Sequence, residues 1–141
     1  MGAWGIKNFE NDEACDWVYE LEKSKDKSVV NDALDNIIGN SEYVESPDCI
    51  EALAAAEIVL AGLSSDFSGI TEEAAVWIKK KPGLFKKPIA FDSSDAKKSI
   101  EVIKKVITTS ELKELWEETE DFDEWLKMQK IIIEKLSMYA N

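Results

Sequence analysis

Apolar residues recur every three to four positions along most of this chain, the spacing of helices that bury one face. Ala14, Trp17, Val18 and Leu21 form an i, i+3, i+4, i+7 stripe that predicts a helix over Asp12–Lys23. Asn11 stands where a capping side chain belongs, and Asp12 and Glu13 complement the positive end of the helix dipole. Val30, Ala33, Leu34 and Ile37 predict a second helix over Ser28–Ile38, stopped at Gly39. Ser46-Pro47-Asp48 reads as the start of a third, with Ser46 as its cap and Pro47 at the first helical position. From there to Leu63 the chain is apolar nearly all round. This helix, near residues 47–63, therefore belongs at the centre of a bundle, ended by Gly62 and Ser64-Ser65-Asp66.

The second half follows the same logic. Thr71 caps a fourth helix, with Glu72 and Glu73 in its first turn and Lys79, Lys80 and Lys81 in its last. Pro82-Gly83 terminates it, and Leu84–Phe91, which contains Pro88, reads as a loop. Ser93 or Ser94 caps a fifth helix that buries Ala96, Ile100, Ile103, Val106 and Ile107. Ser110 caps a sixth that buries Leu112, Leu115 and Trp116. Asp121 or Asp123 starts the last, with Trp125, Leu126, Ile132, Ile133 and Leu136 inward. The apolar period continues through Thr119 and Phe122, so one bent helix from Ser110 to Met138 is the alternative. The expected fold is an all-α, single-domain bundle of six to seven helices spanning residues 1–141.

Composition narrows the chemistry. The 141 residues carry 29 acidic and 17 basic side chains, a net charge of −12, with no histidine and every basic residue a lysine. Nucleic-acid affinity rests on cations neutralising phosphates, so direct nucleic-acid binding is not expected. Without arginine there is no forked carboxylate or guanine clamp. Without histidine the usual serine and cysteine nucleophile systems and imidazole–zinc sites are gone. No phosphate-binding loop, nucleophile elbow or C-x-x-C motif occurs. No cofactor is expected, and the residues favour binding over catalysis. Cys15 and Cys49 lie in apolar-periodic segments and read as reduced, partly buried thiols of a cytoplasmic protein, with a disulfide between them the minor alternative. The N-terminal segment has no secretory pattern. Its Met-Gly start is not a myristoylation site, because Ile6 stands where Ser or Thr is required. The most apolar stretch, Cys49 to Leu63, is interrupted by Glu51 and Glu57, so no membrane span is expected.

The charge is unevenly distributed. Residues 1–78 sum to −13, residues 79–108 to +6, and residues 109–141 to −5. The lysines of Lys79–Lys105 either offset acidic neighbours or form a basic patch. The densest acidic run contains Glu111, Glu114, Glu117, Glu118, Glu120, Asp121, Asp123 and Glu124. On one continuous helix, Glu114, Glu117, Glu118 and Asp121 would share a side. A solvated face is the plain reading of such a run. The functional readings are a divalent-metal site, for which no EF-hand or Glu-x-x-His spacing exists, and a docking face for a basic protein. Glu114, Glu117, Glu118, Glu120, Asp121, Asp123 and Glu124 are accordingly the candidate partner-binding residues. Of five tryptophans, Trp17, Trp77, Trp116 and Trp125 sit on apolar helix faces and are expected in the core. Trp4 is expected to fold back as a lid, with Phe9 beside it, and exposure as a binding anchor is the alternative.

Met1-Gly2-Ala3-Trp4-Gly5, Phe9-Glu10-Asn11-Asp12-Glu13-Ala14 and Asp16-Trp17 resemble the opening of a bacterial family, domain of unknown function 4259, whose members begin with a similar MGxWGxGxFxNDxAxDW pattern. Ser110–Glu118 and Trp125-Leu126 resemble its C-terminal pattern. Lys7 departs from the pattern, where many members have glycine. The resemblance implies a small helical bacterial cytoplasmic protein. It also implies mainly structural roles for Gly2, Trp4, Gly5, Phe9, Asn11, Asp12, Asp16, Trp17 and Trp116. Small acidic proteins of this kind often serve as immunity proteins in polymorphic-toxin or contact-dependent growth-inhibition systems. The expected partner is then a cognate toxin domain, of a basic nuclease type, bound without catalysis; the oligomeric state stays open. The alternatives are a divalent-metal enzyme built on Glu114, Glu117, Glu118 and Asp121, and a housekeeping adaptor with an unrelated protein partner.

Overall fold

The computed structural model describes residues 2–40, 42–80 and 88–141. Seven helices account for most of them: α1 (Asp12–Lys23), α2 (Ser28–Ile38), α3 (Ser46–Ser64), α4 (Glu72–Lys79), α5 (Ser93–Thr108), α6 (Glu111–Glu117) and α7 (Phe122–Ser137). The fold is an all-α bundle, and the sole β-type pairing among the described residues is an isolated bridge between Ala3 and Asn11. Helix α3 is central and packs against α1, α2, α5, α6 and α7, while α4 packs on α1. Its run of small residues explains this. Ala52, Ala54, Ala55 and Ala56 are all fully buried, and their short side chains admit neighbouring helices on every side. One continuous core joins α3 to the predicted stripes of α1 and α2, Ala14, Trp17, Val18 and Leu21 with Val30, Ala33, Leu34 and Ile37.

Several helix ends differ from their sequence expectation, each for a definable reason. Ser46 is not the cap of α3 but its first residue, and Glu45 precedes it without a side-chain cap bond. The orphan Ser46 N–H donates instead to Glu111 Oε1 at 2.7 Å, while the Glu111 N–H donates to the Val44 carbonyl at 3.0 Å. A carboxylate from α6 thus caps α3 from 65 positions away. Gly62 does not end α3 but lies inside it, where a Cβ would stand 2.5 Å from the Phe91 ring. The helix stops at Ser65, which adopts a left-handed backbone (φ 62°). The cap of α5 is Asp92, not Ser93 or Ser94. Its carboxylate accepts from the Asp95 N–H, and Asp95 accepts back from the Asp92 N–H, a reciprocal box that a neutral hydroxyl one residue later does not displace. Lys27 Nζ closes on Asp95 Oδ2 at 2.8 Å, tying the start of α2 to that of α5. On α5 Val102 is fully buried, whereas Ile100 and Ile107 are only half-buried.

The C-terminal half is two helices, not one bent helix. Thr119 Oγ1 donates to the Trp116 carbonyl at 2.8 Å and accepts from the Asp121 N–H at 3.2 Å, so a local side-chain bond replaces continuation of the helical ladder. Trp116 and Trp125 stack across the break, centroids 5.9 Å apart at 15°. Asp121 precedes α7 without a side-chain cap bond. Leu115, Leu126 and Ile133 are half-buried. Trp17, Trp77, Trp116 and Trp125 are core residues as expected. Trp4 is not a lid: it is 61% exposed, although Phe9 beside it in sequence is buried. Its backbone explains the outcome. The Trp4 N–H is fixed on the Glu10 carbonyl at 3.0 Å, and this pairing folds the loop with the indole outward.

Cys49 is a buried free thiol and Cys15 a half-buried one. Lys79 is the last residue of α4 and Lys80 its C-cap, while Lys81, Pro82-Gly83 and the predicted loop up to residue 87 lie outside the described residues. Three of the six described lysines of the basic segment are engaged within the fold. Lys98 pairs with Asp35, Lys105 donates to the Ile37 carbonyl, and Lys79 lies over the Phe67 ring. Among the described residues no helix is long and apolar enough to cross a membrane.

Candidate functional site

Two places concentrate chemistry. The first is the predicted acidic corner formed by α6, the turn after it and the start of α7. Glu114, Glu117, Glu118, Glu120, Asp121, Asp123 and Glu124 are all exposed there. The helix break removes the single shared face expected for Glu114, Glu117, Glu118 and Asp121, because α6 ends at Glu117. Two of the seven have partners. Glu114 accepts the Tyr43 hydroxyl at 2.6 Å and Glu117 pairs with Lys113 at 2.9 Å. The carboxylate beside Tyr43 disfavours the phenolate and pushes that hydroxyl up to about 12. The other five form no ion pair among the described residues, so they leave a local excess of negative charge on the turn and the first turn of α7, beside the stacked tryptophans. No group of three or more potential metal ligands converges among the described residues.

The second place was not marked in the sequence as a site. Asn8, in the N-terminal loop, and Gln129, on α7, exchange amide hydrogen bonds while buried: Gln129 Nε2 donates to Asn8 Oδ1 at 2.6 Å, and Asn8 Nδ2 faces Gln129 Oε1 at 3.4 Å. Asn8 Nδ2 also reaches Glu57 Oε1 at 3.4 Å. Glu57 therefore stands in mid-α3 with one oxygen on the amide pair. Its other oxygen, Oε2, lies against the 66–70 turn, where a Cβ on Gly69 would approach it to 2.6 Å. The turn owes its shape to Asp66, which accepts from the Ser68 N–H and hydroxyl at 3.0 and 2.7 Å. Those same bonds hold the Asp66 carboxyl below its ordinary value. Burial pushes Glu57 up to about 7, against the Asn8 hydrogen bond and the charges of Lys135 and Lys7, which favour its ionised form. Above it lies a groove of about 360 Å³, walled by Leu60, Met128, Ile131, Ile132 and Met138 and rimmed by Lys7 and Lys135.

The signature residues at the N-terminus build the loop that delivers Asn8. Asn11 Oδ1 caps α1 by accepting the Ala14 N–H at 2.7 Å, while its Nδ2 donates to the Asn8 carbonyl at 3.1 Å. Gly2 takes a left-handed φ of 64°, and Gly5 lies where a Cβ would meet the Glu10 carboxylate at 2.6 Å. Phe9 and Trp17 are buried, and Asp12 lies in the first turn of α1. Asp16 is exposed on α1 and lies near Cys15, whose thiol burial, with Asp12 and Asp16, pushes upward.

These features define a class: a helical bundle with a large acidic excess and a loop-anchored N-terminal motif. The chain belongs to the family described as Domain of unknown function (DUF4259), whose model matches residues 2–128 and so covers both the loop and the acidic corner. No curated protein and no solved structure matches it.

Proposed function

We propose that this protein is a toxin-neutralising immunity protein that binds a cognate, basic toxin domain in the bacterial cytoplasm without catalysis. The observation that carries this reading is the acidic corner: Glu118, Glu120 and Asp121 in the turn and Asp123 and Glu124 at the start of α7 are exposed and form no ion pair among the described residues. Toxin domains that act on nucleic acid hold phosphates and are basic, so this surface attracts them before contact. Steering of this kind raises association rates by about 10- to 1000-fold and is screened by salt. A pre-formed turn also lowers the ordering cost of binding.

The test is co-expression with the product of the adjacent upstream gene. Joint purification and protection from its toxicity are expected, and the absence of both would refute the role. Reversing Glu118, Glu120 and Asp121 to lysine should slow association by about ten-fold or more at low salt, with the deficit shrinking at high salt. An unchanged on-rate would move the interface elsewhere on the bundle.

A further inference from the structure

The groove above Glu57 is separate in position and character from the acidic corner. Its floor carries a largely buried carboxylate on the central helix, with Oε1 on Asn8 and Oε2 taking no donor among the described residues. Its walls mix apolar side chains, of which Ile131 and Met138 are 42% and 66% exposed, with Ser64, Asp66, Ser68 and Tyr139. Lys7 and Lys135 stand at the rim without forming an ion pair within the described residues. A largely buried carboxylate on the floor, two exposed cations at the rim and a cluster of apolar side chains beside them is an unusual combination for a merely solvated surface. Burying Glu57 away from any salt bridge is costly unless something compensates it.

We propose that this groove binds a free α-amino acid with a long apolar side chain. The ammonium sits on Glu57 Oε2, the carboxylate lies toward Lys7 and Lys135, and the side chain packs on Met128, Ile131 and Met138. The charges favour the class: the lining carries two anions, Glu57 and Asp66, and two cations, Lys7 and Lys135, so a zwitterion leaves it balanced, whereas a lone ammonium or a lone carboxylate does not. Size points the same way, because about 360 Å³ lies at the small end of ligand pockets. The site is independent of any toxin partner, and its test needs none.

The test is calorimetric titration of the full chain at pH 8 with L-leucine, L-methionine and L-phenylalanine, alongside glycine, hexylamine and hexanoate. Saturable binding of at least one of the three apolar amino acids is expected, with glycine, hexylamine and hexanoate each weaker by about ten-fold or more. Glu57→Gln keeps the side-chain shape and the acceptor for Asn8 but removes the charge, so it should lose about ten-fold in affinity while circular dichroism stays unchanged. Lys135→Met should weaken the amino acid and leave hexylamine unaffected. Affinity should also fall between pH 8 and pH 6. The charged groups facing Glu57 are Lys7 of the loop, Lys135 of α7 and Asp66 of the turn, and Asp66 is held below its ordinary value. Glu57 is therefore the carboxylate there that changes charge in that range. No saturable binding of any of the three, equal binding of hexylamine, or full affinity in folded Glu57→Gln would each overturn the assignment.

Discussion

Glu57 makes the stability of this bundle fall as pH rises between about 4.5 and 7. The chain has no histidine, so between pH 6 and 8 few side chains ordinarily change charge. Burial raises the Glu57 carboxyl from 4.5 to about 7 in the folded state, whereas in the unfolded chain it titrates at its ordinary value. The folded state therefore binds the extra proton. The associated stability is fully present below about pH 4.5 and is lost as pH rises through about 7. A shift of that size corresponds to about 3 kcal/mol at pH 8, an upper figure because the groove leaves the carboxylate partly wet. Glu57→Gln presents the protonated shape at every pH. It should stabilise the protein by less than about 1 kcal/mol at pH 5 and by about 2 to 3 kcal/mol at pH 7 to 8. Urea unfolding followed by tryptophan fluorescence at pH 5, 6, 7 and 8 measures this directly. Glu51 is pushed up to about 7 by burial and by Glu13 and Asp48. It is more exposed than Glu57, so solvent screening leaves it a small part of the slope. If Glu57→Gln and the parent chain change stability in parallel from pH 5 to 7, Glu57 is not the buried carboxyl described above.

Other consequences are equally concrete. Trp125→Ala empties a site that is 1% exposed and unstacks Trp116, and should cost about 3 to 5 kcal/mol in urea unfolding. Gly62→Ala should improve helix propensity yet destabilise by about 1 to 2 kcal/mol, because its Cβ meets the Phe91 ring. In a Phe91→Ala background the same change should turn neutral or stabilising, and additivity in that double-mutant cycle would refute the clash. Burial pushes the Cys49 thiol up to about 11, so at pH 8 it should resist a thiol-exchange reagent until the protein is unfolded. Cys15, nearer the surface, should react first.

What the sequence made legible, and what it did not, follows from how each feature is encoded. Helices α1 and α2 lie where their stripes predict because each buries one face, and the central place of α3 follows from its having no polar face. The caps of α3 and α5 and the break after α6 were harder to read, because competing Ser, Asp and Thr side chains stand side by side and tertiary geometry selects among them. Nothing local announces that Glu111 will serve Ser46. The Asn8–Gln129–Glu57 cluster was missed, yet it left one readable trace. Trp125, Gln129, Ile132 and Leu136 form an i, i+4, i+7, i+11 stripe, which places a polar amide squarely in the buried register of α7. A buried amide requires partners, and that requirement was the available pointer to a second polar group on a facing element.

The carboxylates of this protein divide by environment and not by number. Those of the acidic corner are many, exposed and cheap to hold, because water solvates them and two are locally paired. They act at a distance, and salt weakens them. Glu57 is single, largely dehydrated and held by a loop whose geometry depends on Asn11, Gly2 and Gly5. Asn8 is the joint between these parts, since its carbonyl accepts from Asn11 while its amide contacts Gln129 and Glu57. The N-terminal motif therefore does more than start α1. It supplies the hydrogen-bond donor that, with the charges of Lys135 and Lys7, favours an anion in the central helix, so the loop and the groove stand or fall together.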